Sequence, residues 1–149
     1  MAPLTDKAKC ELIEQVIENS PHMLLQNLKV EKIEGEKSTL RLPYRDELVG
    51  NPDTGAIHSG ALTVLLDNTL GTAALCCDQL PVTITPTLDL RIDHLGIAPA
   101  GKDILACAWV YKVSRRVIFV EGFAYYDSPD KPVAKATGPF IHMKEINIA

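Results

Sequence analysis

The sequence lacks the patterns by which metal, redox and nucleotide sites are usually recognised. Its four cysteines include no Cys-x-x-Cys pair, and its four histidines have no metal-like spacing. No Gly-x-Ser-x-Gly elbow, His-Glu-x-x-His helix, phosphate loop or Gly-x-Gly-x-x-Gly turn occurs. We therefore expect neither a bound metal nor a redox cofactor.

Long apolar runs, aromatic side chains and excess positive charge are also scarce. Aromatic residues make up 5% of the chain and the formal net charge is −4. No apolar run reaches the roughly 18 residues that a membrane helix needs, and the N-terminus has no signal-peptide core. The sequence thus predicts neither a membrane span nor a nucleic-acid-binding surface, and the expected compartment is the cytoplasm.

The remaining composition predicts one α+β domain that spans residues 1–149. Hydrophobic residues make up 46% of the chain, enough for an aliphatic core. An amphipathic helix is expected within residues 1–20, with Thr5 as its N-cap, and a buried helix is expected from Gly60 to about Asp78. Alternating patterns predict six strands, curled as one antiparallel sheet round the buried helix. The expected strands are residues 24–35, 38–48, 82–95, 103–114, 116–127 and 132–144.

Asp67 is the most unusual residue of the central apolar run. It is the one carboxylate between Gly60 and Asp78. An unpaired carboxylate in an apolar interior is costly, so either a partner or a function is expected. A structural role would pair Asp67 with Asn68, Thr63 or a neighbouring chain. A functional role would make it a general base or a nucleophile.

His58-Ser59-Gly60 lies at the expected start of the same helix. The first amide groups of a helix have no helical partners and carry partial positive charge, so they suit a substrate oxygen that gains negative charge. Glycine at position 60 would let such an oxygen approach the backbone closely. The structural alternative makes Ser59 an N-cap and His58 a loop residue. Asn51, in the turn just upstream, is a further candidate for hydrogen bonding at this site.

The separation of Gly60 and Asp67 limits how they can cooperate. They are seven residues apart, which is close to two turns and about 10 Å along a helix. A short aspartate cannot reach a carbonyl group held at the N-terminus of its own helix. If both serve one reaction, Asp67 must act on a substrate held by a second copy of the chain, and we expect a homodimer with two such sites.

Residues 55–75, GAIHSGALTVLLDNTLGTAAL, resemble the hotdog-fold acyl-CoA thioesterases of the phenylacetate-pathway (PaaI-like) type. In that family an asparagine-containing loop and a His-Gly-Gly lead into the central helix. An aspartate follows nine residues after the histidine, as Asp67 follows His58 here. The strands TLDLRIDHL and KATGPFIH are also similar, so the resemblance covers about residues 22–144 and implies a hotdog fold for that part.

The resemblance implies a catalytic role for four residues. Asp67 matches the carboxylate that attacks the thioester or activates water, and Gly60 matches the amide that polarises the thioester carbonyl group. His58 matches the histidine that supports this loop, and Asn51 matches an asparagine near the substrate or the attacking water.

Substrate-binding roles follow from the same resemblance. Thr87 falls where relatives have a Ser or Thr that positions water, although Thr85 and Thr87 are also ordinary strand residues. Ser59 replaces the usual glycine and would cap the helix or contact the thioester. Arg91, Arg115 and Arg116 are candidate contacts to the phosphates of coenzyme A, with a solvated charge pair as the alternative for the last two.

Three functions remain open at this point. The first is hydrolysis of acyl-CoA or aryl-CoA thioesters by a homodimer or, as the resemblance implies, a homotetramer, with coenzyme A entering only as part of the substrate. The second is a non-catalytic acyl-CoA-binding module. The third is a hotdog hydratase or dehydratase that acts on enoyl or 3-hydroxyacyl thioesters.

Overall fold

A six-stranded antiparallel sheet carries one long helix on its inner face. The computed structural model describes residues 2–143. The strands lie in the order β1-β2-β6-β7-β8-β5, and β3 and β4 form a separate two-stranded hairpin. The sheet and its helix confirm the predicted α+β architecture. The helices are α1 (Asp6–Glu18), α2 (Pro21–Leu25) and α3 (Ser59–Leu75), and the strands are β1 (Lys29–Glu34), β2 (Lys37–Leu42), β3 (Val49–Asn51), β4 (Ala56–Ile57), β5 (Arg91–His94), β6 (Ile104–Ser114), β7 (Val117–Tyr125) and β8 (Ala134–Ile141).

The first helix is amphipathic, as predicted, and begins after Thr5, whose hydroxyl accepts a hydrogen bond from the Ala8 amide. Ile13 and Ile17 lie on its buried face. The same face carries Lys9, whose side chain is 1% exposed. A buried lysine on this face was not predicted.

The central helix α3 packs its apolar side against β2, β6, β7 and β8. It ends at Leu75, three residues before the predicted end. We expected burial on most sides, but a stripe along α3 stays partly or fully exposed in the single chain. The stripe consists of Thr63, Val64, Asp67, Asn68 and Gly71. The sheet therefore covers one side of α3 and leaves the Asp67 side available.

The segment after α3 differs most from the prediction. A regular strand was expected over residues 82–95, but β5 covers Arg91–His94 alone. Pro86 interrupts the ladder because proline has no N–H group to donate. The segment still follows β8 through single contacts, which include a bridge between Thr87 and Phe140. It therefore forms an irregular edge beside β8.

Smaller differences concern the elements around the first hairpin. The expected strand over residues 24–35 is shortened to β1, because its first part belongs to α2 and to the turn after it. The expected strand over residues 38–48 ends at Leu42, and Asp46–Leu48 form one 3₁₀ turn. The last residue of the predicted strand 132–144 lies outside the described residues.

Candidate active site

Asp67 is held by a hydroxyl group from the irregular edge segment. The Thr87 Oγ1 atom donates a 2.9 Å hydrogen bond to Asp67 Oδ1. Two of the partners suggested for a structural role do not take this place, since Asn68 donates to the Val64 carbonyl and the Thr63 hydroxyl donates to the Ser59 carbonyl. Asp67 is half-buried in the single chain rather than enclosed in its core. Its carboxylate is therefore both oriented and accessible from the open stripe.

The N-terminus of α3 is capped by His58. Its Nδ1 atom accepts a 2.8 Å hydrogen bond from the Gly60 amide, so this nitrogen carries no proton. The alternative in which Ser59 is the N-cap is wrong, because Ser59 is the first residue of the helix. The Gly60 N–H group, which we predict to polarise a substrate, is thus occupied by His58 in the single chain.

The β3–β4 hairpin sets the position of His58. The His58 amide donates to the Leu48 carbonyl, and a Cβ atom on Gly50 would lie 2.8 Å from His58 Cα. Only a residue without a side chain permits this approach. Asn51 pairs with Ala56 in the hairpin, and its Oδ1 atom accepts from the Asp53 amide. Asn51 therefore lies in the hairpin that leads into α3, and its contact with a substrate remains a prediction.

Gly60 and Asp67 lie on the same helix, as predicted, two turns apart. At 1.5 Å per residue their separation along the axis is about 10 Å. The single chain consequently contains two half-sites, one at the N-terminus of α3 and the other at Asp67 and Thr87.

The three arginines do not form one cluster with these residues. Arg91 lies on the edge strand β5, where it pairs with Asp93 at 3.2 Å. Arg115 and Arg116 are exposed in the tight turn between β6 and β7, where Arg115 has a positive φ of 55°. Their contact with phosphate groups remains a prediction.

An ion pair between a buried lysine and a partly exposed aspartate is the main charged feature that the sequence analysis missed. Lys9 Nζ lies 2.8 Å from Asp78 Oδ1 and also donates a 2.7 Å bond to the Gly35 carbonyl. The pair connects α1 to the segment that follows α3. A lysine four residues before Ile13, on the side that also carries Ile17, was the available signal for it.

Two further observations concern residues 2–143 alone. Within this range no group of three or more His, Cys, Asp or Glu side chains is arranged to hold a metal ion. No helix in the described part of the chain is long and apolar enough to cross a membrane.

An antiparallel sheet that carries one long central helix is the architecture of hotdog-fold proteins, and this chain adds an N-terminal helix to it. The chain belongs to the Thioesterase superfamily, whose family model matches residues 54–132. This matched stretch contains His58, Gly60, Asp67 and Thr87. No curated protein matches the chain.

Solved structures extend the similarity to nearly the whole chain. A Pseudomonas aeruginosa protein is 40% identical, with a TM-score of 0.81 over 91% of this chain and 99% of that one. Zebrafish thioesterase superfamily member 2 is 20% identical, with a TM-score of 0.76 over 93% and 99%. The Escherichia coli PaaI protein, from the phenylacetic acid degradation operon, is 16% identical, with a TM-score of 0.79 over 94% and 97%. At identities of 20% and 16%, the zebrafish and Escherichia coli structures support the fold alone.

Proposed function

We propose that this protein hydrolyses acyl-CoA or aryl-CoA thioesters to the free acid and coenzyme A. The observation that carries the proposal is the Asp67 carboxylate, which Thr87 orients on the open side of α3. Membership of the Thioesterase superfamily supports the same reaction class. The catalytic domain is proposed to span residues 1–149.

Asp67 acts in this proposal as the base or the nucleophile. As a base it takes a proton from water while the water oxygen attacks the thioester carbon. The C–S bond then breaks, and the proton passes to the leaving sulfur of coenzyme A. As a nucleophile its carboxylate attacks the thioester carbon, the C–S bond breaks, and coenzyme A leaves as the thiolate, which takes up a proton. The resulting anhydride is hydrolysed by water in a second step, which releases the free acid and restores the Asp67 carboxylate. General base catalysis contributes about 100-fold to 10,000-fold.

Gly60 stabilises the negative charge that develops on the thioester carbonyl oxygen. Its N–H group points out of the N-terminus of α3, where partial positive charge stabilises an oxygen that gains negative charge. Because His58 Nδ1 holds this N–H group in the single chain, the thioester carbonyl oxygen has to replace the imidazole when substrate binds. Ser59, the residue before Gly60, and Asn51, in the hairpin that leads into α3, are proposed to contact the substrate.

A second copy of the chain brings the two half-sites together. The open stripe of α3 leaves Asp67 uncovered, and the 10 Å separation from Gly60 rules out cooperation within one helix. An antiparallel partner helix would place Gly60 of one chain opposite Asp67 of the other, twice by symmetry. A homodimer is therefore the smallest active unit, and the resemblance to PaaI-like proteins implies a homotetramer.

Thiol release across a panel of acyl-CoA substrates, with Asp67→Ala beside the wild type, tests this function. We expect release of coenzyme A by the wild type and a loss of at least about 100-fold in the variant, with the oligomer still folded. Hydration of an enoyl-CoA without thiol release would instead identify a hydratase. Binding without turnover would identify an acyl-CoA-binding module, and full activity of Asp67→Ala would disprove the assigned role.

A further inference from the structure

The outer face of the sheet, which points away from α3, carries a strip of aromatic side chains along β6 and β7. The chain has one Trp, four Tyr and three Phe residues, and five of these lie here. The ring centroids of Trp109 and Phe123 are 5.9 Å apart, those of Phe123 and Tyr125 are 5.7 Å apart, and those of Tyr111 and Phe119 are 6.2 Å apart. None of the five side chains is buried in the single chain, and Tyr111 is 52% exposed. These five residues form the aromatic strip.

The pattern of β7 shows that this face differs from a solvated one. Every second residue of β7 is buried on the α3 side of the sheet, so the residues between them point outward. A solvated face of an antiparallel sheet normally carries polar residues. The outward residues of β7 are instead Val117, Phe119, Glu121, Phe123 and Tyr125. Four of the five are apolar or aromatic, which is typical of a face that is covered.

Polar side chains border the aromatic strip on both sides. Residues directly opposite each other in neighbouring strands point to the same face, so Lys37 of β2 lies beside Trp109. On the other side Lys135 of β8 lies beside Phe123, and Thr137 lies beside Glu121. An apolar, aromatic centre with a polar rim is the usual composition of a protein–protein interface.

The size and the charges of the outer face suit a second copy of the same face. Six strands of four to eleven residues, at about 3.4 Å per residue and 4.8 Å between strands, cover roughly 700 Å² before side-chain relief is added. A stable interface buries about 800 Å² per partner. The face also carries both signs of charge, since Glu121 lies at its centre and Lys37 and Lys135 lie at its rim. Two such faces related by a two-fold axis can therefore match acidic with basic groups.

We propose that the outer face binds the outer face of a second copy, with the two sheets packed about 10 Å apart. This contact goes beyond the proposed function, because Asp67 and Gly60 lie on α3, on the opposite side of the sheet. A groove of about 480 Å³ beside Trp109 and Phe123 gives the face a recess that a side chain of the second copy can fill. Pairing through the outer face and pairing through α3 together produce a tetramer.

A charge placed in the aromatic strip should halve the mass of the assembly. Tyr111→Glu and Phe123→Glu alter side chains that point out of the sheet, so the far-UV circular dichroism spectrum should stay unchanged. We expect the dissociation constant of the face-to-face contact to rise at least about 30-fold, as when a central aromatic residue of an interface is lost. Sedimentation velocity measures the mass. Val16→Glu, an equivalent change at a 38% exposed position of α1, is the matched control and should leave the mass unchanged.

Trp109 reports on the same contact, because it is the one tryptophan of the chain. Water around an indole ring lowers the energy of its emission, so the fluorescence of Tyr111→Glu should shift to longer wavelength than that of the wild type and of Val16→Glu. An unchanged mass or an unchanged emission in Tyr111→Glu would overturn the inference. Neither measurement requires turnover, so a failure of the thioesterase function leaves this test intact. If the chains do not pair through α3, the mass should still halve, from two chains to one.

Discussion

The Thr87 hydroxyl donates a 2.9 Å hydrogen bond to Asp67 Oδ1 and so connects the irregular edge segment to the central helix. The two residues are 20 positions apart in sequence. The bond occupies one carboxylate oxygen and limits rotation of the group, which leaves the other oxygen to meet water or the thioester. We therefore propose Thr87 as a positioning residue for Asp67.

Removal of the Thr87 hydroxyl should slow hydrolysis without unfolding the chain. Thr87 is exposed, so the nearly isosteric Thr87→Val change should have little effect on the free energy of unfolding. We expect kcat to fall by about tenfold to 100-fold, because a misplaced base loses much of its rate advantage. Thr87→Ser restores the hydroxyl and should recover activity to within about fivefold. Equal kcat values for the valine and serine variants would contradict this role.

A side chain at position 60 should block the N-terminus of α3. A Cβ atom on Gly60 would lie 2.9 Å from His58 Nδ1, closer than real Cβ contacts allow. We expect Gly60→Ala to lower kcat/KM about tenfold, and Gly60→Leu about 100-fold or more, in the range of a lost oxyanion donor. Gly96→Ala is the matched control, because its Cβ atom would meet Val133 at 3.6 Å in ordinary contact. If Gly96→Ala lowers kcat/KM as much as Gly60→Ala does, the loss of activity would not be specific to the N-terminus of α3.

The His58 cap should contribute measurably to the stability of the fold. His58→Ala removes the acceptor for the Gly60 amide and should lower the free energy of unfolding by about 1 kcal/mol. His58→Asn supplies a good N-cap of another shape and should restore most of that loss. Denaturant unfolding of the three proteins measures the difference. Identical midpoints for the alanine and wild-type chains would show that the bond does not stabilise α3.

Removal of Asp78 should lower the free energy of unfolding more than removal of Lys9. Asp78→Asn leaves a lysine that is 1% exposed without its counter-charge and should cost about 1 to 2 kcal/mol, less than for a fully buried pair because Asp78 is 31% exposed. Lys9→Met removes the buried charge and keeps the length of the side chain, so its cost should be smaller. Denaturant unfolding tests this order. A larger loss for Lys9→Met would contradict it.

The sequence predicted well those elements that local patterns specify. Apolar and β-branched residues in alternation located β6 and β7 to within one or two residues, and Thr5 identified the start of α1. Proline explains two differences. Ser20 and Pro21 start the short helix α2, which takes up the first part of the strand expected over residues 24–35, and Pro86 interrupts the strand expected over residues 82–95.

The sequence predicted only part of the candidate site. The helical register alone placed Gly60 and Asp67 two turns apart, because that distance depends on geometry within one element. The Thr87–Asp67 bond and the His58 cap depend on how the edge segment and the β3–β4 hairpin fold back on α3. Such contacts between distant parts of the chain leave no local pattern, so the hydroxyl that holds Asp67 and the occupied Gly60 amide emerge only from the structure.

A mixed oligomer tests the shared site most directly. Chains with Asp67→Ala and chains with Gly60→Leu are each expected to be nearly inactive, since every site then lacks one half. After the two are unfolded and refolded together, half of the dimers should contain one chain of each kind and one intact site, so thiol release should recover to about a quarter of the wild-type rate. Activity of the mixture no higher than the mean of the two parents, in dimers proven to be mixed, would show that Asp67 and Gly60 do not meet across two chains.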